Sequence, residues 1–453
     1  MTRLSPPARL LLAGLIDWTG TGFYLAVSAI FLTRAVGLTP PQVGLALAAV
    51  GVVAFAGSVP LGRLADRAGQ TQTLLALLLV RAAAFAALAT IPALPLTLAL
   101  LAVIALADQA AASVTQALAG ELVERDERVA FMARYRTVIN VGITLGTIPA
   151  GIVLAGSQTF GLLLAANAAS YLAAAALVAT LPRPKRARPA ARPRLLIPSA
   201  PTTALIGVDG LMSMWVVVLN VGLPLWILQA TPAAPALVAI LYATNTVLAV
   251  LFQQRASRLV RTYVDAAKAQ RAAGVLLATT CACLAASTTG SRTAATLLLV
   301  LAVLTLTAAE LLKASAAWQI TFTLAPPVRA AEFFATYGLG RMAAQIGGPV
   351  LVTAVVLALG SPGWLLLGAL FLVGAGATPP LARAARARPT AARRPPRDPY
   401  WPAPRSMTGV IRSSAFGSTL TSSLPPSVLI RSVSFRDSLP LIRVVAGNPP
   451  TAT

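Results

Sequence analysis

The 453-residue sequence has no histidine, two cysteines and 13 acidic residues, and aromatic residues make up 6% of it. Without histidine, and with Cys281 and Cys283 two positions apart in an apolar run, Cys/His zinc sites and disulfide frameworks are excluded. The two thiols have opposite-facing tendencies on a helix, so packing is their expected role. Charged residues are also scarce, at 11% against 57% hydrophobic, whereas soluble domains carry about 25% charged residues. A water-soluble globule is therefore excluded. Acids are so few that 36 Lys and Arg leave a net charge of +23, a surplus that in a soluble chain suggests a nucleic-acid partner. Only three of the cations are Lys (Lys185, Lys268 and Lys313), which together with the heavy Ala, Leu and Pro usage reads as the codon bias of a GC-rich bacterial genome.

What fills the chain instead is apolar sequence, with a mean hydropathy of +0.78. A bilayer core needs about 20 apolar residues per helix. Runs of that kind cover 10–33, 38–61, 73–92, 95–118, 137–157 and 160–181, then 203–228, 234–253, 270–289, 294–324, 337–359 and 362–382. The reading is an all-α polytopic membrane protein with twelve transmembrane helices in two pseudo-symmetric six-helix bundles. The first run is too long for a signal peptide and is interrupted by Asp17, so it is expected to be a retained helix. With the N-terminus inside, 32 of the 36 cations fall on one side, a strong positive-inside bias that places both termini in the cytoplasm. The charge thus reports orientation, and no nucleic-acid partner is expected.

Residues 182–200 carry six cations, no acid and five prolines, a composition that cannot build a core. They are expected to be a basic cytoplasmic linker between an N-terminal bundle, 1–181, and a C-terminal bundle, 201–382. From 383 to 453 the sequence turns to Arg, Pro and Ser with no run able to span a bilayer, the expectation being a disordered cytoplasmic tail.

The two halves repeat. LLAGLIDW in the first run aligns with TALIGVDG in the seventh, placing Asp17 against Asp209, and Asp108 in the fourth corresponds to Glu310 in the tenth. Parallel six-helix repeats describe a two-bundle transporter with its binding site between them. Those four acids and Lys313 lie within spans, where a lipid-facing charge costs about 2.5 to 3.5 kcal/mol. They should face a wet cavity or one another. Glu310 and Lys313, three residues apart, can neutralise each other on one helical face. Asp108, with no basic neighbour in sequence, is the first choice for a proton or cation site. Asp17 and Asp209 are coupling or inner-gate candidates, and Arg81 is expected to snorkel to the interface. Trp18, Phe23, Tyr24, Trp215, Trp226 and Trp318 can line a cleft or serve as packing and interfacial anchors. The acidic stretch Glu121 to Arg128 reads as a solvated helix cap in preference to a magnesium site, and no nucleophile-base constellation marks an enzyme.

Between the second and third runs, GRLADRAGQTQTL holds Gly62, Asp66, Arg67 and Gly69. It resembles the loop signature of the major facilitator superfamily, with Gln70 and Gln72 where a basic pair is usual. The resemblance covers residues 1 to 382. It implies that Asp66 lies against the start of the eleventh helix, near Tyr337, Gly338 and Arg341, and latches the cytoplasmic side. It also implies that helices 1, 4, 7 and 10 line the central cavity. RYRTVINVGITLGTIPAG, with Arg136, Asn140, Gly142, Gly146 and Gly151, is similar to the fifth helix of the family's drug antiporters, although Pro149 is displaced and the fourth helix lacks the antiporter arginine. The function expected from the resemblance is proton-coupled efflux of small amphiphilic compounds by alternating access. An uptake symporter is the alternative, and a non-transporting sensor or membrane enzyme lies further off. The expected partners are a bilayer, a small-molecule substrate and protons, in a monomer of a bacterial cytoplasmic membrane, with no cofactor and no metal.

Overall fold

The computed structural model describes residues 4–32, 36–90, 94–156, 160–182, 196–234 and 236–387. Most of the expected linker and all of the expected tail beyond 387 lie outside them. Among the described residues, twelve long helical segments follow one another, with a short 3-10 turn at Arg125–Glu127 between the fourth and fifth, and there is no strand. They are α1 (Pro6–Ile30), α2 (Pro40–Ala68), α3 (Gln70–Leu88), α4 (Leu94–Leu122), α5 (Arg128–Gly156) and α6 (Phe160–Ala179). The second set comprises α7 (Ala200–Ala230), α8 (Leu237–Arg258), α9 (Tyr263–Ala286), α10 (Arg292–Leu324), α11 (Ala330–Leu357) and α12 (Ser361–Ala387). Among the described residues, nine of these helices are long and apolar enough to cross a membrane.

Local chemistry sets the helix ends. Thr262 and Asp265 form a capping box at the start of α9, Thr262 Oγ1 accepting the Asp265 N–H at 3.1 Å while Asp265 Oδ2 accepts the Thr262 N–H at 3.0 Å, and Ser291 caps α10. Between α2 and α3 the chain reverses at Gly69, whose φ of 99° suits a residue without Cβ. α12 continues to Ala387, so Arg383 and Arg386, expected in the tail, are helical.

α7 is interrupted. The Ser213 hydroxyl donates to the Asp209 carbonyl at 2.7 Å, competing with the backbone ladder, and the helix breaks at Ser213 and Met214. It widens again into a π turn at Val218–Gly222, where Pro224 has no N–H to offer the carbonyl one turn back. α11 widens similarly at Val352–Leu357, just after Pro349.

Two glycine seams bring helices into backbone contact. A Cβ on Gly146 of α5 would sit 2.0 Å from the Thr19 carbonyl oxygen of α1, and one on Gly22 would sit 2.6 Å from that of Ile143. In the second half, a Cβ on Gly340 of α11 would come within 2.3 Å of the Ile206 oxygen of α7, and one on Gly210 within 2.6 Å of that of Gly340. The repeat therefore extends to helix packing, α1 on α5 matching α7 on α11. Around these seams, Phe85 packs on Tyr24 and Tyr171, and Trp226 on Trp364. Large apolar side chains such as Leu45, Leu162, Leu297 and Val373 face outward, an aggregation hazard in water but the natural contact surface in hydrocarbon.

Candidate functional site

Between α1–α6 and α7–α12 lies a cavity of about 650 Å³, lined from both sides. α1, α3 and α4 contribute Asp17, Arg81 and Asp108 to it, and α7, α10 and α11 contribute Asp209, Lys313 and Arg341. Trp18, Trp215 and Trp318 supply aromatic surface.

Arg81 organises the first wall. Its Nη2 lies 3.0 Å from Asp17 Oδ1 and its Nε 2.6 Å from Asp108 Oδ1. The same guanidinium donates to the Tyr171 hydroxyl at 2.8 Å and sits 4.0 Å from that ring's centroid. The expectation that Arg81 snorkels to the interface is overturned, because two carboxylates and a ring face hold it inside. Its side chain is 4% exposed, whereas that of Asp108 is 41% exposed and faces the cavity. Asp108 is thus paired and still reachable from the cavity.

On the opposite wall, Lys313 Nζ donates to Asp209 Oδ2 at 3.1 Å and to Ser213 Oγ at 2.7 Å. The break in α7 turns Ser213 to this task. Glu310, 3% exposed, is held by Arg136 of α5 and accepts from Asn245 Nδ2 of α8 at 2.9 Å. The expected Glu310–Lys313 pair does not form. Three residues along a helix leave about 60° between two side chains, enough for Glu310 to turn to α5 and α8 while Lys313 turns to α7.

Below the cavity, at the end of the bundle where α1 begins and α12 ends, the halves are joined. Asp66 accepts the N–H of Ala331 at 3.0 Å, that of Glu332 at 2.9 Å and Gln70 Nε2 at 2.9 Å. One carboxylate from α2 thus caps the N-terminus of α11, where free donors and the helix dipole favour negative charge. Gly62 permits the approach, since a Cβ there would lie 2.9 Å from the Ala331 oxygen. Glu332 in turn receives Arg63 Nε at 2.8 Å, Arg329 Nε at 2.7 Å and the backbone N–H of Leu196 at 3.1 Å. Gln116 of α4 donates to Thr321 of α10 at 2.8 Å. Among the described residues, the hydrogen bonds and ion pairs between the halves run from Arg136–Glu310 at mid-depth down to this end. Asp66 meets α11 at its first residues; Tyr337, Gly338 and Arg341, expected beside it, line the cavity instead, one to three helical turns further on. Arg67 is exposed.

In α5, Arg136 and Asn140 line the cavity, while Gly142 and Gly146 form the seam with α1; Gly151 lies on the same helix. Of the other aromatics, Trp226 donates to the Leu284 carbonyl inside the second half, and Phe23 and Tyr24 pack within the first. Cys281 and Cys283 are buried free thiols. Sequence reasoning missed Glu332, Asn245 and Tyr171. Arg81 had a signal, an intramembrane cation in need of a partner.

Helices of membrane-crossing length in two matched sets, with a charged cavity between them, define a polytopic transporter of the two-bundle class. The chain belongs to the Major Facilitator Superfamily, whose profile matches residues 10–350. Its fold is similar to that of the human organic anion transporter MFSD10 (TETRAN), at 17% identity and a TM-score of 0.63, covering 82% of this chain and 98% of that one. A bacterial homologue of the iron transporter ferroportin in an outward-facing state is similar at 16% identity and a TM-score of 0.65, covering 85% and 100%. The E. coli fucose:proton symporter FucP is similar at 16% identity and a TM-score of 0.62, covering 84% and 98%. At these identities the likeness is one of fold. No curated protein sequence matches the chain.

Proposed function

We propose that this transporter couples proton movement to the efflux of small amphiphilic compounds by alternating access, with Asp108 as the proton site. The observation that carries the proposal is the partial exposure of the Asp108 side chain, which lines the cavity, while it shares Arg81 with the buried Asp17. Protonating Asp108 removes one of the two charges holding the guanidinium between α1, α3 and α4, and so alters the attraction among three helices of the first bundle. Division at 182–200, all twelve helices spanning a bacterial cell membrane, both termini cytoplasmic and a monomeric state belong to the same reading. On that orientation the closed end is the cytoplasmic one, and the structure is outward-facing.

The lining favours amphiphilic cargo, since Trp18, Trp215 and Trp318 share it with a small number of charged groups. An uptake symporter is the second reading. Gln109, Gln116, Asn140 and Gln345 also line the cavity, and such amides suit a hydrogen-bonding metabolite; two of the folds it resembles include a fucose:proton symporter and an organic anion transporter.

Reconstitution in liposomes tests both. Fluorescent cationic, neutral and anionic compounds are followed with and without an imposed pH gradient. Gradient-dependent movement opposite to the proton flux supports efflux, and movement with it supports uptake. Absence of flux for every compound, with folded protein, sinks the transport proposal. Asp108→Asn is expected to abolish the gradient dependence, and coupling that survives the substitution removes Asp108 from the role.

A further inference from the structure

The charges of the cavity do not pair evenly. Asp17 and Asp108 share Arg81, Asp209 engages Lys313, and Glu310 engages Arg136. Arg341 of α11 is left with no ion pair among the described residues, although it lines the cavity. The charges of Asp209 and Arg136 act on it from a distance. Its one hydrogen bond among the described residues is a long 3.5 Å contact from Nη1 to Gln345 Oε1 on its own helix. A guanidinium cannot shed its proton to escape a low-dielectric site, and it offers a planar fork of donors that matches a carboxylate.

A second observation points to the same place. Tyr337 stands one turn before Arg341 on the same face of α11 and also lines the cavity. The residue is 4% exposed, and its hydroxyl is buried without a hydrogen-bond partner. Buried hydroxyls are ordinarily satisfied, so one face of α11 carries a donor and, one turn on, a cation, both short of an acceptor. Trp215 and Trp318 line the same cavity, in a volume suited to a drug-sized molecule, and the Arg136 guanidinium lies 5.7 Å from the centroid of the Trp215 ring.

We infer that Arg341, with Tyr337, anchors the carboxylate of an amphiphilic organic anion whose apolar body lies against Trp215 and Trp318. The inference rests on the cavity being the substrate site of the transporter proposed above, and it names the charge class of that substrate.

Dansyl-glycine and dansyl-glycinamide test it, because they share one apolar body and differ in the anionic group. Their binding to the full-length protein in lipid nanodiscs is read by energy transfer from tryptophan to dansyl, with no gradient applied. The acid is expected to bind about tenfold tighter than the amide or better, as a charge-assisted pair in a secluded site implies. Arg341→Gln is expected to collapse that ratio to about one. Arg341→Lys should retain part of it, a point charge without the fork, and Tyr337→Phe should lower it about threefold. Equal affinity of acid and amide for the wild-type protein, or saturable binding of neither, overturns the inference without any variant having to fold. A ratio that survives Arg341→Gln overturns it as well. Preference for the acid without flux in liposomes would sink the transport reading alone, whereas flux without the preference would sink only this one.

Discussion

The two walls of the cavity are built from the same repeat and pair their charges differently. On the first wall two carboxylates, Asp17 and Asp108, converge on the single cation Arg81. On the second, Asp209 meets Lys313 alone and Arg341 stands by without an acid of its own. The acids follow the repeat, Asp17 matching Asp209, but the cations do not. Arg81 comes from the third helix of its half, and Lys313 from the fourth of the other. The helical frame repeats, therefore, while the counter-charges were placed separately in each half. With Arg136 of the first half and its partner Glu310 of the second included, each half brings two acids and two cations, so the halves differ in how the charges are paired and not in their balance.

The sharpest way to break this comparison is to remove the cation from each wall. Arg81→Met leaves two carboxylates without a counter-charge and is expected to cost about 3 to 5 kcal/mol of stability, read as a lowered melting temperature in detergent. Lys313→Met strands only Asp209 and should melt higher, and adding Asp17→Asn to Arg81→Met should recover part of the loss. Equal melting of the two single variants would mean that the walls do not differ as described.

The closure below the cavity comes next. Asp66→Asn removes the charge and leaves one acceptor oxygen where two now receive the Ala331 and Glu332 N–H groups, a loss of about 1.5 to 3 kcal/mol. Spin labels on the facing ends of α2 and α11 should report a longer distance, or a second population, in the variant. An unchanged distance distribution would show that Asp66 does not hold the closed end.

The glycine seams test how far the repeat extends. Gly146→Ala and Gly340→Ala each force a methyl against a carbonyl oxygen of the neighbouring helix, and each should cost about 1 to 3 kcal/mol. Gly347→Ala, with nothing within 4 Å of the added Cβ, should stay within about 0.5 kcal/mol of wild type. If only one seam responds, the packing symmetry is not matched by energetic symmetry. The smallest stability effect is expected from Asp108→Asn, within about 1 kcal/mol, because the side chain is partly exposed and Arg81 keeps Asp17. Its test is therefore a melting curve close to wild type alongside lost pH coupling, and a large drop in melting temperature would assign Asp108 to the frame of the bundle.

Much of the frame was readable in advance. Long apolar runs give the helices because a bilayer forces every backbone amide to be satisfied within its own segment, and the Gly62–Gly69 signature placed the contact of α2 with the beginning of α11. The fifth-helix glycines announced a close crossing without naming α1 as the partner. The pairing of the charges was not readable. Arg81, 64 positions from Asp17 in sequence, looked like an interfacial cation because nothing near it in the chain is acidic. Glu310 and Lys313 looked like a pair because they are neighbours on one helix. Glu332 gave no signal of its part in joining the halves, since that depends on Arg63, which lies 269 residues away.

By itself, then, the sequence determined a helical membrane protein in two repeated halves, with four acids and a lysine held within its spans. Tertiary structure decided which cation each acid meets, that Asp108 is reachable from the cavity while Glu310 is buried, and that Arg341 stands inside the cavity and not at the gate. The division has a physical cause. Hydrophobic length and backbone satisfaction act along a single segment and leave a periodic record in it, whereas an ion pair in a low-dielectric interior depends on a few ångströms between side chains of different helices, a distance fixed only when those helices pack.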